Sequence, residues 1–329
     1  MQTMHRLAAF AAIVAFCVIV LGAWVRLSHA GLGCPDWPGC YGQLTWPDAA
    51  EEIVTANQAF PERPFESDKA WREMIHRYLA GALMLMVFAM TWLAWRGPHI
   101  YRKFRVITTT LTLLIIFQAL LGMWTVTLKL KPIIVMAHLL GGLTSFSFVL
   151  WIMFSSRRRS LDKPSMSVRR MRDSIIFALV ILSLQIALGG WTSANYAALA
   201  CPDFPMCGGQ WWPETNFREG FILWREIGVN YEGGILDQPS RVAIHLTHRI
   251  GAVITLAVLI VLGFRSLKIP RLRTGGQVLM SLVLIQFTLG ILNVVLYLPL
   301  ANAVAHNAGA ALLLATLLGL LNKTSTRNH

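Results

Sequence analysis

Charge is scarce in this chain. Lys, Arg, Asp and Glu together make up 14% of its 329 residues, where a soluble domain carries about a quarter. That shortage argues against an ordinary soluble domain. With 55% hydrophobic residues, the composition also excludes a disordered or collagen-like chain. Cysteine is sparse: five residues are too few to hold a chain of this length together by disulfides. Acids are rarer than bases, 16 against 29. That excess does not read as a nucleic-acid face, because the basic residues fall between long apolar runs, the pattern of a membrane protein.

Eight apolar stretches are long enough to cross a bilayer, which takes roughly 20 residues. They run about 7–27, 74–95, 106–128, 133–154, 174–193, 242–264, 277–297 and 301–321. No small-residue cleavage site follows the first, so it is expected to be retained as a helix. Three connections are basic: Arg96, Arg102, Lys103 and Arg105; Arg157, Arg158, Arg159, Lys163, Arg169, Arg170 and Arg172; and Arg265, Lys268, Arg271 and Arg273. Together with Arg6, Lys323 and Arg327, this side holds 18 of the 29 basic residues, with only Asp162 and Asp173 as acids. The expectation is a multi-pass membrane protein with both termini in the cytoplasm and the long connections 28–73 and 194–241 outside, which in a bacterial cell means the inner membrane.

Four Cys lie in those two long connections, as C34-P-D-W-P-G-C40 and C201-P-D-F-P-M-C207. Disulfides persist outside the membrane, and a short Pro-containing loop is already bent, so closing it costs little further entropy. The expected bonds are Cys34–Cys40 and Cys201–Cys207, either as staples or with one pair cycling between dithiol and disulfide. Cys17, inside the first helix, is expected as a small apolar filler.

The chain repeats itself. At a shift of 167, LGAW at 21–24 meets LGGW at 188–191, and the two Cys pairs coincide. His76-Arg77 meets His248-Arg249 at a shift of 172. Gln118-x-x-Leu121-Gly122 meets Gln286-x-x-Leu289-Gly290 at 168, where His138 also meets His306. Gln185-x-x-Leu188-Gly189 carries the same signature. The expected fold is therefore all-α and polytopic: eight transmembrane helices forming two tandem four-helix bundles related by a pseudo-two-fold repeat. The units are 1–160 and 161–329.

His5, His29, His99 and His329 lie in loops or at termini. His76, His138, His248 and His306 fall at repeat-equivalent ends of helices. Two imidazoles at similar depth on two helices of one bundle suit the axial ligation of a haem iron. Arg77 and Arg249, beside the first His of each pair, either balance haem propionates or snorkel to the interface. Glu73 precedes His76 by three residues, on one helix face, while its counterpart is His245. A carboxylate there complements the helix dipole or acts as a base or charge stabiliser. His245, three residues from His248, is a competing ligand candidate. The asymmetry suggests one catalytic unit and one cofactor-holding unit.

Taken together, the eight helices in two repeats, E73-M-I-H76-R77, His138, H248-R249, His306 and the two Cys pairs resemble the haem A synthase family over about residues 5–321. The resemblance implies a role in cytochrome oxidase assembly: oxidation of a haem O methyl to a formyl group through hydroxylated intermediates, with oxygen from water. It implies that the first unit binds haem O through His76 and His138. The second would hold haem b through His248 and His306. Glu73 matches the catalytic glutamate. The Cys34–Cys40 pair is implicated in the reaction, and Cys201–Cys207 looks structural. Haem O synthase is the natural supplier, membrane lipid the surroundings, and a homo-oligomer a candidate assembly; nucleic acid is no partner. Two rival readings are a quinol-linked dihaem electron-transfer cytochrome, which leaves the Glu73 asymmetry unexplained, and a quinone-linked thiol oxidase, which leaves the four His unexplained. A haem carrier without chemistry is a third.

Overall fold

The computed structural model describes residues 1–156 and 166–324. Arg157, Arg158, Arg159, Asp162, Lys163, Arg327 and His329 lie outside the described residues. Ten α-helices are present among those described: α1 (Gln2–Leu27), α2 (Ala50–Ala59), α3 (Ser67–Arg96), α4 (Arg105–Thr127), α5 (Pro132–Ser156), α6 (Met166–Ala194), α7 (Phe217–Gly220), α8 (Gln238–Leu267), α9 (Arg273–Val295) and α10 (Leu300–Thr324). A 3-10 turn, His99–Phe104, precedes α4. All but α2 and α7 are long and apolar enough to cross a membrane. No strand occurs among the described residues. The fold is an all-helical polytopic membrane protein.

The helices are apolar on most faces, and this decides what surrounds them. Phe10, Ile13, Leu85, Phe88, Leu113, Val180, Val253, Phe264 and Leu284 are all exposed. A coat of large apolar side chains of this extent suits lipid rather than water. Cys17 is on that coat: it is free and exposed, not packed as a filler, because its helix turns the opposite face (Ala8, Ala11, Ala12, Ala15) into the core. Those small residues let neighbouring helices approach closely.

In the first half α1 packs against α3 and α5, and α4 against the same two. In the second half α6 and α9 each pack against both α8 and α10. The halves join through α1–α10, α5–α6 and α5–α10. Residues 167 apart meet here. Arg26 Nη2 donates to the Ser193 carbonyl at 2.6 Å, His29 stacks on Tyr196, and Asn322 Nδ2 reaches Ser155 Oγ at 3.5 Å.

The transmembrane helices run longer than the apolar windows suggest. α3 and α8 have 30 residues each, about 45 Å at 1.5 Å per residue, against a hydrocarbon core of about 30 Å. Hydropathy stops counting at Asp68, Lys69 and Arg72, but the backbone does not. Those charges pair along the helix surface, Lys69 with Glu66 at 2.8 Å and Arg72 with Asp68 at 3.4 Å. His76 and His248 therefore sit in the third turn of their helices rather than at the start. His138 and His306 are in the second turn of α5 and α10. Two tight turns set that height. Lys129 and Leu130, and likewise Tyr297 and Leu298, take left-handed backbone angles, and Pro132 then opens α5 with its φ preset.

Both Cys loops close as expected, with disulfides Cys34–Cys40 and Cys201–Cys207. An aspartate organises each. Asp36 accepts from the Tyr41 and Gly42 amides, both at 2.7 Å. Asp203 accepts from Gly208 at 2.6 Å and Gly209 at 2.8 Å. The Gly209 amide, followed by that of Gly208, holds the Asp203 carboxyl below the usual aspartate range. A folded value below the unfolded one stabilises the loop above the ordinary aspartate pKa, and the stabilisation is lost as pH falls through the folded value. Reduction of Cys201–Cys207 by a phosphine is therefore expected to accelerate below about pH 4. Asp203→Asn should be reduced quickly at neutral pH as well. Equal rates in both proteins across that range would exclude the aspartate's role.

Candidate functional site

Four imidazoles sit in four matching helix notches. A Cβ built on Gly22 of α1 would lie 2.9 Å from His76 Cε1. The same construction gives 3.4 Å from Gly122 to His138, 3.1 Å from Gly189 to His248 and 3.2 Å from Gly290 to His306. Each ring thus lies against the bare backbone of a glycine on a neighbouring helix. None of the four residues is fully buried. His76 and His138 stand on α3 and α5, which both pack against α1 and α4, and His248 and His306 stand on α8 and α10, which both pack against α6 and α9. Each expected pair thus lies within one group of four packed helices.

One helical turn away a second notch recurs. Gln118, Gln185 and Gln286 each stand four residues before the notch glycine. Each packs its amide against a glycine three residues beyond the histidine: Gly141, Gly251 and Gly309. Gln185 Nε2 lies 3.0 Å from both His248 Nδ1 and the His248 carbonyl. Gln286 Nε2 donates to the His306 carbonyl at 2.9 Å. The Oε1 atoms of all three are buried without a partner. At the His76 notch the corresponding residues are Val18 and Leu79, so no amide is present. The repeat had displayed these glutamines as a signature, but their contact with the histidine helices becomes visible only in three dimensions.

Glu73 is buried at 4% exposure and does not point freely into a cavity. Its Oε2 accepts the Cys34 amide at 2.9 Å, and its Oε1 pairs with Arg77. Arg77 Nη1 donates onward to the carbonyls of Asp36 at 2.9 Å, Pro38 at 3.2 Å and Gly39. Arg249 repeats this, donating to Cys201 and Met206 carbonyls at 2.9 and 2.8 Å and to Asp203 at 2.8 Å. Both arginines therefore clamp a disulfide loop onto a histidine helix.

His245 occupies the Glu73 position in this arrangement and is directed to the loop. Its Nδ1 lies 3.2 Å from the Cys201 amide and its Nε2 3.3 Å from Arg249 Nε. A neutral imidazole has one acceptor nitrogen, so it satisfies one of these donors at a time, whereas the Glu73 carboxylate satisfies both. Among the described residues no group of three or more His, Cys, Asp or Glu gathers to hold a bare metal ion.

An all-helical membrane protein with two glycine-notched histidines in each half, and a disulfide loop clamped by an arginine beside one of them, is the class that fold and site define. The COX15-CtaA family model, described as cytochrome oxidase assembly protein, matches residues 5–318. A protein named "Heme A synthase" from Shewanella oneidensis is 45% identical over 91% of this chain and 90% of its own length. Proteins of the same name from Caulobacter and Shouchella clausii are 28% and 27% identical, over 93% and 85% of this chain and 91% and 83% of their own lengths. The chain belongs to the COX15-CtaA cytochrome oxidase assembly family.

The notch at Gly22 is the tightest of the four and should not tolerate a branched side chain. Gly22→Val is expected to displace His76 or part α1 from α3, costing on the order of 1–3 kcal/mol of stability. Gly81, with nothing near its Cβ direction, is the control. Thermal unfolding in detergent should fall for Gly22→Val and hold for Gly81→Ala; equal behaviour would mean that His76 does not need the notch.

Proposed function

We propose that this protein is a haem A synthase, an oxidoreductase that converts the methyl group of haem O to a formyl group through hydroxylated intermediates with oxygen taken from water. The carrying observation is the pairing of imidazoles across the bundle, His76 with His138 and His248 with His306. A haem iron would be held by one imidazole from each of two helices. Pairs of His, without a third ligand nearby, fit that need.

In this reading residues 1–160 form the substrate unit, with haem O held by His76 and His138. Residues 161–329 hold haem b by His248 and His306. Haem b, when bound, supplies one-electron redox chemistry. Glu73 is the catalytic residue: it takes a proton from the reacting methyl or stabilises the positive charge that develops there. The Cys34 amide and Arg77 keep its carboxylate oriented. Arg77 and Arg249 have their Nη groups engaged with loop carbonyls, so their first task is to hold the loops over the haem sites, with propionate pairing secondary. Cys34–Cys40, one hydrogen bond from Glu73, is the pair suited to exchange electrons; Cys201–Cys207 is a staple. The Cys loops face outward and both termini the cytoplasm of a bacterial cell, in accord with the basic residues of the opposite connections. Haem O synthase is the supplier of substrate. The replacement of Glu73 by His245 in the second half favours this reading over a symmetrical electron carrier.

The protein should be purified from membranes of a host that makes haem O, and its haems extracted into acidic acetone and resolved by chromatography with mass detection. Haem A or its hydroxylated precursor together with haem b is the expected result. Haem b alone, with haem O available, would overturn the enzyme reading in favour of an electron carrier. In the same host, Glu73→Gln is expected to retain both haems and form no haem A; normal product would remove Glu73 from the chemistry.

A further inference from the structure

We propose that the cavity between α3 and α4, at the end of the bundle remote from the Cys loops, binds an anionic phospholipid, with its phosphate against Arg96 and Arg105 and an acyl chain along Trp92 and Phe88. Arg96 closes α3 about 30 Å along the helix from His76, so the site does not depend on the haem assignment. A cavity of about 320 Å³ opens there, lined by Phe88, Thr91, Trp92, Trp95, Arg96 and Thr112. Trp92 and Trp95 are exposed, on a surface that faces lipid. Each of their rings holds a cation beside it. The Arg96 guanidinium lies 5.6 Å from the Trp92 ring centroid and that of Arg105 4.7 Å from the Trp95 ring centroid. Arg105 is fixed further, by Nε on the Ala94 carbonyl and Nη2 on the Trp95 carbonyl, both at 3.1 Å.

Charge decides the occupant. The sequence has no Asp or Glu between Glu73 and Asp162, and the ion pairs among the described residues include neither arginine. A guanidinium matches phosphate through paired hydrogen bonds, and indoles favour the depth at which headgroups lie. A soluble anion would leave Trp92 and Phe88 uncovered, and a zwitterionic headgroup brings a cation of its own, which the arginines repel. The hydroxyls of the lining are already engaged: Thr91 Oγ1 lies 2.7 Å from Thr112 Oγ1 and 3.1 Å from the Val87 and Thr108 carbonyls. Recognition therefore falls to the arginines. The second half differs. At the repeat shifts of 172 and 168, Thr91 and Thr112 meet Gly263 and Met280, while Trp92 and Trp95 meet Phe264 and Leu267. Lys268 and Arg273 keep the cations, but the indoles are gone and the Met280 side chain occupies the space beside Gly263.

The test is native mass spectrometry of the full-length protein released from detergent, with added phosphatidylglycerol or phosphatidylcholine of the same acyl chains. The wild type is expected to hold one phosphatidylglycerol in preference to phosphatidylcholine. Arg96→Gln should weaken that binding about fivefold, the share of one cation near a lipid surface. Arg102→Gln removes an exposed charge of the same connection that does not line the cavity, and should leave binding unchanged. Thr91→Gly combined with Thr112→Met, which copies the second half and keeps both arginines, should lose the lipid as well. Equal retention of the two lipids by the wild type, or a loss in Arg102→Gln as large as that in Arg96→Gln, would overturn the site in favour of diffuse attraction to a basic surface. Should the double variant fail to accumulate, the comparison of Arg96→Gln with Arg102→Gln, both at exposed positions, decides.

Discussion

The contact of an imidazole with the bare backbone of a glycine is what the rest of this molecule is arranged around. Lipid offers helices no hydrophobic reason to associate, so close packing of small residues decides which faces meet. At Gly22, Gly122, Gly189 and Gly290 the absent side chain is replaced by a histidine ring from the neighbouring helix. That fixes the separation of each helix pair and the height of its ring. It also brings the amide of Gln118, Gln185 or Gln286 against a second glycine one turn away. A Cβ at Gly22 would force a shift, one at Gly189 or Gly290 would press the ring by a few tenths of an ångström, and one at Gly122 would only touch it.

The loops extend the same logic beyond the apolar slab. α3 and α8 are long enough to rise out of it and carry an arginine each to the disulfide loop above. Arg77 and Arg249 donate to loop carbonyls in matching fashion. The scaffold is thus shared by both halves, and the chemistry differs at one position within it. Glu73 can accept from the Cys34 amide and from Arg77 together, because a carboxylate has two oxygens with several lone pairs. His245 has a single acceptor nitrogen for two donors. One half therefore holds a carboxyl group fixed by two partners one turn before its histidine, and the other holds an imidazole ring in the same frame.

Much of this was legible in residue order. All eight membrane helices, the pairing of Cys34 with Cys40 and Cys201 with Cys207, and the equivalence of the four histidine positions follow from apolar run length, loop spacing and internal repetition. These are local or periodic properties. The helix starts were misjudged because hydropathy ends at the first charges, while Asp68 and Arg72 pair along a helix that continues. Cys17 was misjudged because a helix apolar on most faces gives no sign of which face meets lipid.

What the sequence by itself determined is the number of the membrane helices and the two closed loops, since each depends on composition or spacing within short windows. What only the tertiary structure decided is how side chains far apart in the chain are engaged: Glu73 on the Cys34 amide, both arginines on loop carbonyls, His245 in the place of a carboxylate, and a glutamine beside three of the four rings but not the fourth. Those contacts depend on which helix faces oppose one another and at what distance. In a bundle this uniformly apolar, hydropathy carries almost none of that information; the positions of a few glycines carry most of it.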